Sequence, residues 1–479
     1  MRLRTVAFLV ASAFGLGSAQ VCQYGTMGPM PATTETPTES TIATPTPLEV
    51  SIGNALGFAA ATMAVATTET STTLIVPIGN STTATPTTSL YHGNAYHLAA
   101  TRTSSTTATP TTLVVPIGNA PGFAAGTTGG GTVEPIYPTD IKHLKSLLSD
   151  AFARVIYLNR TFDFTNSEGN KTEVGCRPTS NTCPGKGGQD AINTSGNWCG
   201  TQPPINVTYD VAGQSGMSVK NNKTLRGLGN RGVLYGKGLV ITGSNVIIQN
   251  IHITNLNPQY IWGGDGIHTY NNDRVWIDHV KVSRVGRQMI VSNYEGSRSL
   301  TVSNSEFDGR TLWSASCNGC HYWAMLFIGA GDKVTFWNNY VHDTSGRSPK
   351  SGGSAYGNVL LHAVNNYFEN IKGHAFDVST GSSVLIEANY FLNVATPKYA
   401  DATSRAFVPT ATSLFACGTT PLRRKCIVNT LATSGALENQ PGTNDTTVMT
   451  LFPNDVLTGI TSANKAKQVV LAGSGFGKM

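Results

Sequence analysis

The sequence predicts an all-β protein wound as a parallel β-helix, with one short N-terminal capping helix and a disordered Thr/Pro-rich stalk ahead of it. The first observation is a recurring couplet of short strands from about Lys223 onward: GLVITGSNVIIQNIHITN, DRVWIDHVKVS, RSLTVSNSEFDG, DKVTFWNNYVHD, NVLLHAVNNYFEN and SSVLIEANYFLNV. The second is the spacing of the polar residue inside each couplet. Asn250, His279, Asn304, Asn339, Asn366 and Asn389 follow one another at gaps of 29, 25, 35, 27 and 23 residues. A repeat of that length holds two or three strands and no helix, which suits a coil around an axis. Asn side chains stacked at the bends would satisfy backbone groups that no helix caps. The third is the scarcity of hairpin dipeptides. Asp265-Gly266, Asp308-Gly309 and Asn318-Gly319 are too few for a β-sandwich.

In chain order, residues 1–19 read as a secretory signal peptide: Arg2 and Arg4, an apolar run from Val6 to Leu16, then Gly17-Ser18-Ala19. No other run reaches the ~20 apolar residues of a membrane span. Residues 20–120 are rich in Thr, Ala and Pro and repeat imperfectly (SIGNALGFAA and PIGNAPGFAA; STTATPTT twice). They hold too little apolar material for a core and read as a stalk. Residues 121–430 form the predicted β-helix, and 431–479 a tail packing on it or extending from it. Within the folded part, Asp140 is a cap candidate ahead of Ile141, Leu144, Leu147 and Leu148 at helical spacing. ARVIYL then reads as a strand.

A net charge of +6 with no basic block gives no nucleic-acid arm. Neither a nucleic acid nor a membrane is expected as a partner, and the chain is expected to act as a monomer. Export would place the eight cysteines in an oxidising compartment, where disulfides are the better reading than a zinc site at Cys317–Cys320. Asn80, Asn159, Asn170, Asn193, Asn206, Asn222 and Asn444 open N-glycosylation acceptor sequences.

Three stretches collect unusual residues: IWGGDGIHT (261–269), WIDHVKVSRVGRQM (276–289) and HDTSGRSPK (342–350). Asp265 and Arg287 lie 22 residues apart, close to one turn of the coil, and Arg347 about two turns further on. One acid and two arginines beside Trp262 and Trp323 suit an anionic or ester-bearing sugar. Guanidinium forks bind carboxylates and carbonyls, and aromatic faces stack on sugar rings. Asp278 and His279, inside WIDH, read as packing residues rather than catalysts.

On GFAAGTTGGG, NVIIQNIHITNLNPQYIWGGDGI, VWIDHVKVSRVGRQ, CHYW, SGRSPK and LLHAVNNYFENIKGHAF, the chain resembles the pectin lyases of polysaccharide lyase family 1, within the pectate lyase superfamily. The resemblance runs from about Gly122 to Phe415. It implies a right-handed β-helix with a substrate groove along one face. It also implies cleavage of methyl-esterified galacturonan by β-elimination. By motif, Asp265, Arg287 and Arg347 match the family's catalytic positions, while Trp198, Trp262, Tyr322, Trp323 and Lys350 match groove residues. It implies disulfides Cys176–Cys199, Cys183–Cys317 and Cys417–Cys426, and leaves Cys22 and Cys320 without evident partners. Thr179 and the run Gly200-Thr201-Gln202 stand where the family often has aromatics. The calcium-dependent relatives place acids after WIDH where this chain has Arg284 and Arg287, so no metal and no cofactor are expected. A calcium-dependent pectate lyase and a non-catalytic cell-wall-binding protein are the competing readings.

Overall fold

The structure is a computed structural model that describes Cys22 and residues 117–479 except Ser195, 354–356 and 454–456. The signal-peptide segment, the stalk segment up to residue 116 other than Cys22, and Asn80 lie outside the described residues. Three long parallel sheets form the body. The first holds nine strands, from Arg154–Leu158 to Arg405–Phe407. The second holds nine, from Thr161–Asp163 to Thr430–Ala432, and the third eight, from Met217–Val219 to Thr396–Lys398. Each complete circuit places one strand in each sheet, and successive circuits pair strand on strand in parallel, as in Val246↔Val275 and Val275↔Leu300. Inward-facing Ile, Val, Leu and Phe stack into one continuous core, including Ile248, Ile277, Val302, Phe336 and Ile386. Parallel strands closed on themselves this way bury the core without crossover helices.

The bends between the first and second sheets carry the predicted Asn ladder, with a correction of register. Asn339, Asn366, Asn389 and Asn429 hydrogen-bond in series, each accepting through Oδ1 from the residue one circuit earlier (2.9 to 3.1 Å). Asn250, His279 and Asn304 occupy the position before the ladder, where φ is 52°, 51° and 44°. Asn tolerates that left-handed corner better than most residues. Ser305 holds the ladder position on the Asn304 circuit, accepting from Val280 N and donating onward to the Ser303 carbonyl. The six markers therefore mix two adjacent structural positions.

The helix Ile141–Ser149 caps the N-terminal end of the coil. Asp140 accepts from His143 N, and Leu144, Leu147 and Leu148 are buried. GFAAGTTGGG lies across the outer face of the first sheet: Phe123 N and Ala124 N donate to Thr335 and Thr301 hydroxyls, and Gly130 N to Thr224. Two glycines here are dictated by contact. A Cβ on Gly122 (φ 60°) would fall 2.2 Å from Thr335 Oγ1, and one on Gly129 (φ 56°) 2.1 Å from Thr224 Oγ1. At the other end, the helix Ala463–Gly473 packs on the second sheet, with Lys467 over the Tyr367 and Tyr390 rings. The chain after it climbs the column of corner residues: Ser474 donates to Asn338 O, Gly475 N to Asn304 O, and Gly477 N to Asn250 Oδ1.

All eight cysteines are paired: Cys176–Cys199, Cys183–Cys317, Cys417–Cys426 and Cys22–Cys320. The last corrects the expectation that Cys22 and Cys320 lack partners. No local spacing announces it, because the two are 298 residues apart in sequence.

The second sheet carries a buried ionic network on its outer face. Lys281 Nζ bonds Glu306 and Asp308, Arg310 bonds Asp308, and His342 bonds Asp343 and Glu306 beneath the Tyr340 ring. These carboxylates outweigh the desolvation that opposes a buried cation and push the His342 imidazolium up to about 9. Because the folded value is raised above the ordinary histidine value of 6.5, the folded state binds the extra proton. That contribution is complete below pH 6.5 and is lost as pH climbs through 9. Melting temperature should therefore fall over that interval, and His342→Gln should flatten the fall. An unchanged slope in the variant would show that another group titrates.

Candidate active site

The reactive side chains converge where the chain passes from the second sheet to the third. A fourth, four-stranded sheet stands over this edge, formed by Asn170–Cys176, Asp190–Ala191, Pro204–Asp210 and Tyr260–Ile261. The Cys176–Cys199 disulfide anchors it.

Asp265, followed by Gly266, precedes the strand Ile267–Thr269, and Arg287 precedes Ile290–Ser292, its neighbour in the third sheet. Parallel pairing of those strands brings the preceding residues side by side, which is why a gap of one turn predicts contact. The pair is bidentate: Arg287 Nε to Asp265 Oδ1 at 3.0 Å and Nη2 to Oδ2 at 2.6 Å. Asp265 Oδ1 also accepts from Gln288 N at 2.9 Å. The Trp262 ring lies 3.7 Å from the Arg287 guanidinium and meets Trp198 edge-on. The buried His321 imidazole donates from Nε2 to the Arg287 carbonyl (2.6 Å). Burial holds this ring neutral by pulling its pKa down to about 4. That is the work of the histidine in CHYW.

Arg347 precedes the strand Lys350–Ser351 and sits in a left-handed turn (φ 49°), a conformation a bulky residue adopts only when its surroundings hold it there. Its backbone N–H donates to His374 Nε2 (3.1 Å), and its carbonyl accepts from Met325 N (2.6 Å). Gly346 must be glycine, because a Cβ would meet the Tyr322 ring at 2.6 Å. The guanidinium lies 4.6 Å from the Trp323 ring centre and 5.8 Å from that of Tyr322. The Gln288 amide, with its nitrogen towards the Trp323 carbonyl (3.2 Å), accepts from Arg347 Nη1 at 3.1 Å. Asp265, Arg287, Gln288 and Arg347 thus form one connected set. Burial first, with the nearby Arg287 charge adding to it, lowers the Arg347 pKa from its ordinary value.

Along the third sheet, His268, Val291, Leu326, Lys350 and Asp377 occupy equivalent positions on successive strands and make a row beside these groups. Lys350 pairs with Asp377 (2.6 Å) and Ser379 (3.1 Å), so its charge is already matched before any sugar arrives. Arg284 Nε donates to Thr254 Oγ1 on the second sheet. Asp278, buried, accepts from Gln249, Ser303 and Asn304 and pairs with His279, which is a structural role. Sequence reasoning missed Gln288, His268, His321 and His374. Buried Trp262 Nε1 and His268 Nε2 have no hydrogen-bond partner among the described residues.

His374 fixes the Arg347 turn only while its ring is neutral. Burial lowers its pKa to about 4, opposed by Asp377 and aided by Lys350 and Arg347, with the Tyr322 and Tyr399 rings packed against it. Replacing His374 by Ala should lower kcat about tenfold with little change in KM, as loss of one orienting hydrogen bond does. His374→Gln, which keeps an acceptor, should recover part of it.

A pectate lyase family model matches residues 191–408, which include Asp265, Arg287, Gln288 and Arg347. A probable pectin lyase F-2 of Aspergillus terreus is 53% identical over 66% of this chain and 66% of its own length. Pectin lyase B of Emericella nidulans is 45% identical over 75% of this chain and 93% of its own. The chain belongs to the pectin lyase family, within the pectate lyase superfamily. A Bacillus subtilis pectate lyase matches the fold with a TM-score of 0.50 at 15% identity, over 76% of this chain and 98% of that one. At that identity the likeness is one of fold alone. Family membership agrees with the parallel sheets and with the resemblance carried by WGGD, VGRQ and SGRSPK.

Proposed function

We propose that this pectin lyase is secreted through residues 1–19 and cleaves α-1,4-linked methyl-esterified galacturonan by β-elimination without a metal, giving 4,5-unsaturated oligosaccharides. The observation that carries the reading is the connected set Asp265–Arg287–Gln288–Arg347, with both guanidinium groups backed by tryptophan.

In the reaction the C5–H bond breaks, its electron pair becomes the C4=C5 double bond, and the C4–O4 bond breaks with its pair leaving on O4, which takes a proton from water as the neighbouring sugar is released. The C5 proton lies α to the C6 carbonyl. A methyl ester makes it more acidic than a carboxylate would, since no negative charge opposes the forming carbanion. Arg287, oriented by Asp265, donates to the developing enolate oxygen, as an oxyanion hole does. Arg347 handles the proton, either on its neutral guanidine or on a hydroxide it holds. Its lowered pKa favours the first route, because more of the neutral guanidine is present at any given pH.

The donor set does not suit calcium at this place. Asp265 is taken bidentately by Arg287, and calcium wants six to eight oxygens. Glu306, Asp308 and His342 do come within metal-ligating range of one another, but Lys281 Nζ already bonds both carboxylates. The test is ultraviolet absorbance of the unsaturated product on highly methylated pectin. Activity should be undiminished by EDTA and should fall steeply on de-esterified polymer. Loss with chelator and recovery with calcium would favour the calcium-dependent reading instead.

A further inference from the structure

Trp313, like Trp276 and Trp337, is a tryptophan that the reaction groove does not use. Among the described residues its indole makes no hydrogen bond, ring stack or cation–π contact, although it is half-buried. It lies in a loop held on both sides. Cys317 is bonded to Cys183 and Cys320 to Cys22, and Ser314 bridges to Gly188. Thr311 Oγ1 brackets its backbone, accepting from Trp313 N and donating to Trp313 O. A large aromatic face fixed in this way loses little conformational freedom when something stacks on it.

Two clefts of ≈ 330 and ≈ 300 Å³ meet at Trp313 and Gln259. Their linings contain none of Asp265, Arg287, Arg347, Trp262 or Trp323. Volumes of this size hold a small ligand or one to two sugar rings each. Both are lined by amides, hydroxyls and aromatic edges, with Asn170 and Tyr260 among them. Arg177, the one cation in either lining, is clamped bidentately by Asp190 (2.9 and 3.0 Å). Asp210 is the second acid and accepts from Asn166 N and Ala212 N. One paired cation against two acids offers a uronate carboxylate no free counter-charge. It leaves an uncharged sugar well served by amide donors and acceptors around a stacking face.

We propose that the paired cleft around Trp313 is a second sugar-binding site, taking an uncharged pyranose segment of the polymer apart from the reaction groove. Its occupant is either the esterified backbone itself or a neutral side chain. The proposal deepens the pectin-lyase reading, since a long substrate could hold both sites at once while a short one could not.

The experiment measures binding by isothermal titration on enzymatically deglycosylated full-length protein, because Asn170 both borders the cleft and opens an acceptor sequence. Arg347→Ala is the background, so that polymer is not consumed. Probes are highly esterified pectin, its de-esterified form and a neutral galactan. Adding Trp313→Ala should weaken binding of esterified pectin, of galactan, or of both, about tenfold, the scale of one lost stacking face. Binding of de-esterified polymer should not change. Loss with pectin alone identifies the backbone as occupant, loss with galactan alone a neutral side chain, and loss with both neutral pyranose generally. Trp313→Phe, keeping an aromatic face, should restore most of it, and an unchanged melting temperature excludes unfolding. Equal affinities with and without Trp313 for both neutral probes would overturn the proposal. Absence of lyase activity in the unsubstituted protein would instead overturn the functional reading and leave the binding result standing.

Discussion

Replacing Arg347 by Ala should lower kcat on methylated pectin by about a thousandfold or more, with only a modest change in KM. The side chain supplies the proton route, and nothing else among the groups around it stands ready to replace it. Tyr322, against which it packs, has its phenol pKa raised mainly by burial, so it is a poor base. Stability should change little, because the turn is held by backbone bonds to His374 and Met325 rather than by the guanidinium. Arg347→Lys should remain badly impaired. A lysine cannot keep the flat contact with Trp323 and the bond to Gln288 in one geometry. Near-normal turnover in Arg347→Ala, measured by product absorbance, would remove the mechanism.

The second large effect is expected at Asp265, which touches the reaction only through Arg287. Asp265→Asn keeps the volume but breaks the bidentate pair, leaving Arg287 to swing and Gln288 N–H with a weaker acceptor. Loss of a fixed oxyanion donor costs about a hundredfold to a thousandfold in kcat, ~3 to 4 kcal/mol of transition-state stabilisation. If Asp265 only orients Arg287, then Arg287→Ala and the Asp265→Asn/Arg287→Ala double variant should be nearly equal in kcat. An additive loss in the double variant would show that Asp265 acts independently. Asp265→Asn should also lower the melting temperature, since it leaves a mostly buried guanidinium without its partner.

The coil was legible because period-two strands and the circuit length are local properties of the chain. Asp265 and Arg287 were legible for the same reason, as a gap of one circuit translates directly into adjacency. The residues that escaped notice depend on contacts between circuits. Gln288 reads as an ordinary polar residue until Arg347 arrives from a later turn. His374 lies 27 residues beyond Arg347, again about one circuit, but an imidazole accepting a backbone N–H leaves no motif. Lys350 was readable as a groove cation, whereas its pairing with Asp377 needs the register of the third sheet. The ladder markers shifted by one position because Asn serves two different ends there, a left-handed corner and a stacked amide. In Ala388-Asn389 the corner is taken by alanine and the amide follows it.

The bond from Cys22 to Cys320 changes what the Thr/Pro-rich segment is covalently. The chain from Cys22 to Cys320 is closed by that bond into a covalent ring, and residues 23–116 belong to the ring. A protease that cuts once inside it opens the ring without shedding any part, so the nicked protein should migrate as one species until a reductant is added.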